Sequence, residues 1–298
     1  MKRWIAWTTG GVALLIAAAA ATLGYGLREA ERRRDRVVPV PAYPIAYTSD
    51  AQALARGRYL FETRGCTECH GMQGAGRSFV NDGKGTHIAG PNITPSGMVA
   101  RFQPEDWERA IRHGVKPDGR PLMVMPSEDY NRLTDADLSA LVSYVRSLPP
   151  QAGGEARVEL PRPVWALYGL GMIPDAAGRI DHGLPPAQPV TEGVTVEHGR
   201  YVANMCIGCH GTGLSGGKIP GGPPDWPEAA NLTPGAGSAM VRYPNAGRFV
   251  TMLRSGKRPD GRVILVMPFD SIARLSDVDA QALYAYLQTV PALPQGQR

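Results

Sequence analysis

Cys66-Thr-Glu-Cys-His70 and Cys206-Ile-Gly-Cys-His210 decide the reading of this 298-residue sequence. In Cys-x-x-Cys-His, two thiols add across the vinyl groups of a haem and the adjoining His ligates its iron. The two-residue gap puts both sulfurs on one side of a helical turn, at the spacing of the porphyrin vinyls, and aims the next residue at the metal. All four cysteines of the chain, Cys66, Cys69, Cys206 and Cys209, lie in these motifs, so none remains for a disulfide. A thioredoxin-like pair needs no following His and expects a βαβ context, which the surrounding residues do not suggest. A single zinc would have to bridge the 136 residues between Cys69 and Cys206 and would leave both His idle. The motifs therefore predict two covalently bound haem c groups.

Outward from the motifs, the sequence repeats itself. Arg56-Gly-Arg-Tyr59 returns as His198-Gly-Arg-Tyr201, Asn92-Ile-Thr-Pro95 as Asn231-Leu-Thr-Pro234, and Lys116-Pro-Asp-Gly-Arg120 as Arg258-Pro-Asp-Gly-Arg262. Val124-Met-Pro126 returns as Val266-Met-Pro268, and Leu133-Thr-Asp-Ala-Asp137 as Leu275-Ser-Asp-Val-Asp279. With the haem motifs, these are six landmarks in one order at offsets of 139–142. Each copy reads as helix, haem motif, long Gly/Pro loop, short helix, Met loop and final helix, with no useful strand alternation. Thr134 and Ser276 are N-caps followed by acids. Leu138, Leu141, Val142 and Val145, and Leu283, Tyr284 and Leu287, give apolar faces at helical spacing. Pro149 and Pro291 stop these helices. The middle helices centre on Trp107–Ile111 and Phe249–Leu253.

The repeat also selects a sixth iron ligand. Met125 and Met267 match, and each precedes a proline ahead of the last helix. Met123 aligns with Leu265 and Met252 with Ala110, so neither is shared, and the aligned pair Met98 and Met240 reads as packing. The second copy has no His after His210. His87 and His113 have no counterparts there and read as surface residues. His70 with Met125, and His210 with Met267, are the expected metal ligands. A thioether ligand raises the potential of haem iron, and two filled axial positions leave no place for substrate. Electron transfer is the expected function. A catalytic diheme enzyme of peroxidase or thiosulfate-oxidising type would need an open or Cys/His-ligated iron. A haem-based sensor or structural subunit is the other alternative.

Residues 4–27 carry no charge, long enough for a transmembrane helix. A cleaved signal peptide, with Met1-Lys2-Arg3 as its n-region and Ala19-Ala20-Ala21 at the cleavage site, is the alternative. The length and the flanking Trp4, Trp7 and Tyr25 favour a retained single-pass anchor. Five Arg follow the span against Lys2 and Arg3 before it, a bias toward the opposite orientation, but large C-terminal domains translocate largely regardless of such charge. Of the net charge of +5, +4 lies within residues 1–36, and the remainder is nearly balanced. That distribution excludes a nucleic-acid binder. Gly (36) and Pro (27) make up about a fifth of the chain, above the roughly 12% average, which points to long loops.

The residues resemble the cytochrome c family of the class I, mitochondrial-type fold. That resemblance implies that Gly57 and Tyr59 meet Tyr144, that Gly199 and Tyr201 meet Tyr284 or Tyr286, and that the carbonyl of Pro91 holds the ring of His70. The second copy has Ala230 in the place of Pro91, and any carbonyl can accept that bond. More narrowly, residues 50–292 are similar to the cytochrome c subunits of bacterial membrane-bound alcohol, aldehyde and gluconate dehydrogenases, which usually carry three haems where this chain has two motifs. The expected architecture is all-α: segment 1–36 as membrane anchor or signal, cytochrome c domain 1 at 48–150, a Pro-rich linker at 151–191, and domain 2 at 192–296. Apolar residues 164–173 of the linker are expected to lie across the two domains, with contact to a partner or the membrane as the alternative. Two His/Met haems suit a periplasmic or membrane-bound dehydrogenase, or a quinol-oxidising partner, as donor and a terminal oxidase or another cytochrome as acceptor. The uncharged N-terminal span and the chemistry of haem attachment to the cysteines lead us to expect a single-pass protein of the bacterial inner membrane with its haem domains in the periplasm.

Overall fold

A computed structural model describes residues 2–223, 225–235 and 237–297, with side chains from residue 7 onward within the first helix. Met1 and the side chains of Lys2, Arg3 and Trp4 lie outside the described residues. Helix α1 (Lys2–Asp35) is continuous. Its uncharged stretch of 24 residues is about 36 Å long, against a hydrocarbon core of about 30 Å. By length and composition it can cross a membrane once.

The first repeat contains α2 (Ala51–Thr63), α3 (Cys66–His70), α4 (Pro104–His113) and α5 (Asp135–Ser147). The linker contributes α6 (Arg162–Gly169). The second repeat contains α7 (Val196–Ala203), α8 (Ile207–His210), α9 (Ala246–Ser255), α10 (Phe269–Ile272) and α11 (Asp277–Leu287). The expected caps form: Thr134 accepts from Asp137 N at 3.1 Å and Ser276 from Asp279 N at 3.0 Å. Helix α11 ends four residues before Pro291 rather than at it, tightening through Thr289 N to Tyr286 O at 2.8 Å.

Each repeat is built on one crossing of its first and last helices. A Cβ on Gly57 would fall 2.0 Å from Ala140 O, and one on Gly199 would fall 1.9 Å from Ala282 O. Only hydrogen fits at either position, and the helices close to backbone contact. Around the crossings, Leu60, Phe61, Trp107, Leu138 and Val142 form one core, and Val202, Phe249, Leu253, Leu283 and Leu287 the other. Tyr144 and Tyr286 approach the glycines, as the family resemblance implied. Tyr59 and Tyr201 do not stay within their own repeats. The hydroxyl of Tyr59 donates to Asp279 Oδ2 at 2.7 Å, and that of Tyr201 to Asp137 Oδ2 at 2.6 Å. Two repeats clasp each other through the same pair of side chains.

Two further expectations are corrected. A small antiparallel sheet, β1 (Arg77–Asn81), β2 (His87–Gly90) and β3 (Arg157–Glu159), flanks the first haem motif. Asp82 Oδ1 closes its hairpin by accepting from Lys84 N at 2.7 Å and Thr86 N at 2.9 Å. The third strand comes from the linker, a pairing that no local alternation could reveal. Apolar segment 164–173 packs chiefly on α1 rather than across the two repeats, with Ile173 at its end coming 3.6 Å from a Cβ placed on Gly221 of the second repeat. Helix α6 lies on the exit of α1, where a Cβ on Gly169 would meet Gly26 O at 1.8 Å. Arg36 grips Asp175 with both guanidinium nitrogens, at 2.7 and 2.6 Å, and Tyr168 donates to the same carboxylate at 2.8 Å.

Candidate functional site

Both Cys-x-x-Cys-His motifs fold as a helical turn following the first helix of their repeat. Tyr130 in the first repeat donates to Arg64 O at 2.8 Å, fixing the approach to Cys66. Beyond the motif the chain turns back on it: Gly76 N donates to His70 O at 2.8 Å, and Gly216 N to His210 O at 2.9 Å. This return brings Pro91 O to His70 Nδ1 at 2.9 Å and Ala230 O to His210 Nδ1 at 2.8 Å. A carbonyl can only accept, so Nδ1 carries the proton in both rings and Nε2 carries the lone pair, the state a metal ligand requires. Burial pushes the His70 imidazole below its ordinary value, more than the bond to Pro91 raises it, so the ring is neutral at neutral pH.

The Asn-x-Thr-Pro landmarks hold this return loop. Asn92 Oδ1 accepts from Thr94 N at 2.8 Å, while its amide donates to Gln151 O at 2.7 Å. Asn231 does the same with Thr233 N at 2.8 Å and Leu293 O at 2.7 Å. All four side chains are buried. Their role is to tie the loop after each haem motif to the chain leaving the last helix.

Met125 lies against the same apolar cluster as Cys66, and Met267 against the same cluster as Cys206. The prolines after them share a backbone conformation, φ −81° and ψ 64° at Pro126 against φ −77° and ψ 70° at Pro268. Met98 and Met240 have unlike surroundings, 44% and 7% exposed. Cys66, Cys69 and Cys206 are partly buried and Cys209 is exposed. Burial pushes the thiols of Cys66 and Cys206 up to about 12 and that of Cys69 up to about 11. Thiols so held make poor partners for disulfide exchange. Two sulfurs one turn apart, an imidazole with a fixed tautomer and a thioether on one apolar core form the donor set that fits haem c, and it occurs twice.

Sequence reasoning missed how each attachment motif lies against the other repeat. Gly208, inside the second motif, donates its N–H to Asp129 Oδ1 at 2.7 Å, and Asn204 donates to Asp129 O at 2.8 Å. Reciprocally, Ser271 donates to Glu68 Oε1 at 2.9 Å and lies 3.3 Å from Thr67 Oγ1. Asp129 and Ser271 are equivalent in the repeat, each four residues after the matched Met. Each haem motif therefore rests on the Met loop of the other repeat. The matching offset of Asp129 and Ser271 was the available signal. His113, expected at the surface, is buried at 6% exposure. His87 is half-buried, with Nε2 3.2 Å from Ser78 Oγ.

The family model for cbb3-type cytochrome c oxidase subunit III matches residues 52–145 and 196–287. The fructose dehydrogenase cytochrome subunit of Gluconobacter japonicus is 30% identical, over 85% of this chain and 55% of that protein. The cytochrome c subunit of the quinone alcohol dehydrogenase of Gluconobacter oxydans is 27% identical, over 84% and 57%. A diheme cytochrome c-type protein of Cereibacter sphaeroides is 27% identical, over 96% of this chain and 98% of its own length. The chain spans little more than half the length of the first two relatives.

Proposed function

The chain belongs to the cytochrome c family of cbb3-type oxidase subunit III, and from that premise we propose that it is an electron carrier holding two haem c groups. The observation that carries this reading is the duplicated donor set, with Pro91 O and Ala230 O orienting the two histidines alike. Bound there, haem c supplies a one-electron iron couple. Cys66 and Cys69 in the first unit, and Cys206 and Cys209 in the second, are the attachment residues. His70 with Met125, and His210 with Met267, would hold the two irons, and a methionine sulfur there would favour the reduced state. We take 48–150 and 192–296 as the haem-bearing units and 151–191 as the linker.

The contacts of Asp129 with Gly208 and of Ser271 with Glu68 keep the two attachment turns at a fixed separation, as a relay requires. In this reading α1 anchors the chain in the bacterial inner membrane and the haem units face the periplasm. There they accept electrons from a dehydrogenase and pass them to a terminal oxidase or another cytochrome. The sugar and alcohol dehydrogenase subunits among the relatives support a donor of that class.

Spectroscopy of the haem-loaded variants Met125→Ala and Met267→Ala tests the assignment. Each variant loses about half of the thioether-to-iron absorption of the oxidised protein, and one of its two redox transitions moves to lower potential. A redox titration unchanged in both variants contradicts the ligand assignment.

A further inference from the structure

His113 and His182, neither of them part of a haem motif, face each other Nδ1 to Nδ1 at 3.0 Å. The outer nitrogen of each ring faces an acceptor oxygen. His182 Nε2 lies 3.0 Å from the carbonyl oxygen of Ala177, which can only accept, so that nitrogen carries the proton. His113 Nε2 lies 3.4 Å from Glu108 Oε1, and a carboxylate there selects the same tautomer. Both Nδ1 lone pairs then point at each other. At this distance they repel unless a cation stands between them.

The arrangement is that of a metal site with its outer support in place. Ligating imidazoles donate their second N–H to a carboxylate or a backbone carbonyl; here His182 donates to Ala177 O, and the Glu108 carboxylate stands 3.4 Å from His113 Nε2. Zn–N bonds of about 2.0–2.1 Å at a tetrahedral angle set the two nitrogens about 3.3 Å apart. A small turn of the half-buried His182 opens the pair to that span. The surroundings also favour positive charge. His113 closes α4, where the helix dipole is negative. Glu108 is 3% exposed, and its Oε2 has no hydrogen-bond partner. Arg112 is the opposing cation, 3.6 Å from Glu108 and 2.8 Å from Asp135, so two acids face one guanidinium. Among the described residues no third His, Cys, Asp or Glu completes a cluster, which leaves the remaining positions to water.

We propose that His113 and His182 bind one divalent transition-metal ion of the zinc class through their Nδ1 atoms, and that this ion fastens the linker to the first repeat. The linker is seated for it. The turn Ala176–Gly178 rests on the end of α4, where a Cβ on Gly114 would meet Ala176 Cβ at 3.1 Å.

The test uses the full haem-loaded chain, stripped with chelator and then supplied with zinc. Wild type retains one zinc per chain through desalting, and His182→Gln, altered only on the half-buried linker side, retains none. Glu108→Gln, which weakens the support of His113, binds zinc about 10–100-fold more weakly. Zinc slows proteolysis within 151–191 in wild type and not in His182→Gln. Equal retention by wild type and His182→Gln overturns the proposal. So does a wild type that retains no zinc, which would mean that a shared proton joins the rings.

Discussion

Tyr59 donates its hydroxyl to Asp279 at 2.7 Å across 220 residues of chain. The carboxylate of Asp279 is fully buried, and it also meets His198 Nε2 at 2.7 Å and Arg64 at 3.2 Å. Its repeat equivalent Asp137 takes Tyr201 from the other side at 2.6 Å and Arg56 through two bonds of 2.8 Å. Two cytochrome domains are thereby joined by a reciprocal exchange of one tyrosine each, anchored on the first turn of the opposite terminal helix.

Removing one hydroxyl breaks half of the clasp. Tyr59→Phe should lower stability by about 1.5–3 kcal/mol, the range for a hydrogen bond to a charged group, and Tyr201→Phe by a similar amount. Urea unfolding of the haem-loaded chain reads both. If the clasp works as one element, the double variant departs from additivity. A loss near zero in both single variants would mean that the bonds carry no energy.

Acid should loosen the same junction. Burial alone raises the Asp137 carboxyl, but bonds from Arg56 and Tyr201 outweigh it and hold it below its ordinary 3.8. Burial likewise raises Asp279, and the charge of Arg64 with bonds from Tyr59 and His198 brings it below that value. A depressed carboxyl contributes fully above its unfolded pKa, near 3.9, and that contribution is lost as pH falls through the folded value. Stability should therefore drop below about pH 4, and more steeply in wild type than in Asp279→Asn. Parallel urea profiles at pH 5 and pH 3 would contradict this.

The helix crossings tolerate no side chain. Gly57→Ala places a methyl 2.0 Å from Ala140 O, and Gly199→Ala places one 1.9 Å from Ala282 O. Each should cost at least about 1–3 kcal/mol, as overpacking does, and should lower the yield of haem-loaded protein. Gly154→Ala, with open space around it, is the control that should behave as wild type.

The duplication, the haem attachment turns, the capped last helices and the membrane-length helix were all legible in the sequence, because each rests on local spacing. Tyr59 was legible only in part. Its place on the first helix pointed inward, but nothing local says that its hydroxyl belongs to Asp279 of the other copy. Strand β3 and helix α6 escaped for the same reason, since their partners β2 and α1 lie far away in the chain. His113 looked like a surface residue because its burial comes from the linker turn seated on α4.

Where the anchor may be cut follows from α6. Ala30 is 2% exposed, and Gly26 touches Ala166, so the exit of α1 belongs to the folded part. Behind a cleavable signal, a chain begun at residue 22 should be soluble and resist protease within the linker. A chain begun at residue 37 loses the Arg36 grip on Asp175 and should be cut there quickly. Equal protease resistance of the two would show that α1 contributes nothing beyond the membrane.

The most direct test of the account is the intact mass of the purified chain, read with its oxidised absorption spectrum. Two covalently attached haems per chain, with the far-red band of sulfur-to-iron ligation, are predicted. A mass with one haem or none, or two haems with five-coordinate spectra, would contradict the central claim.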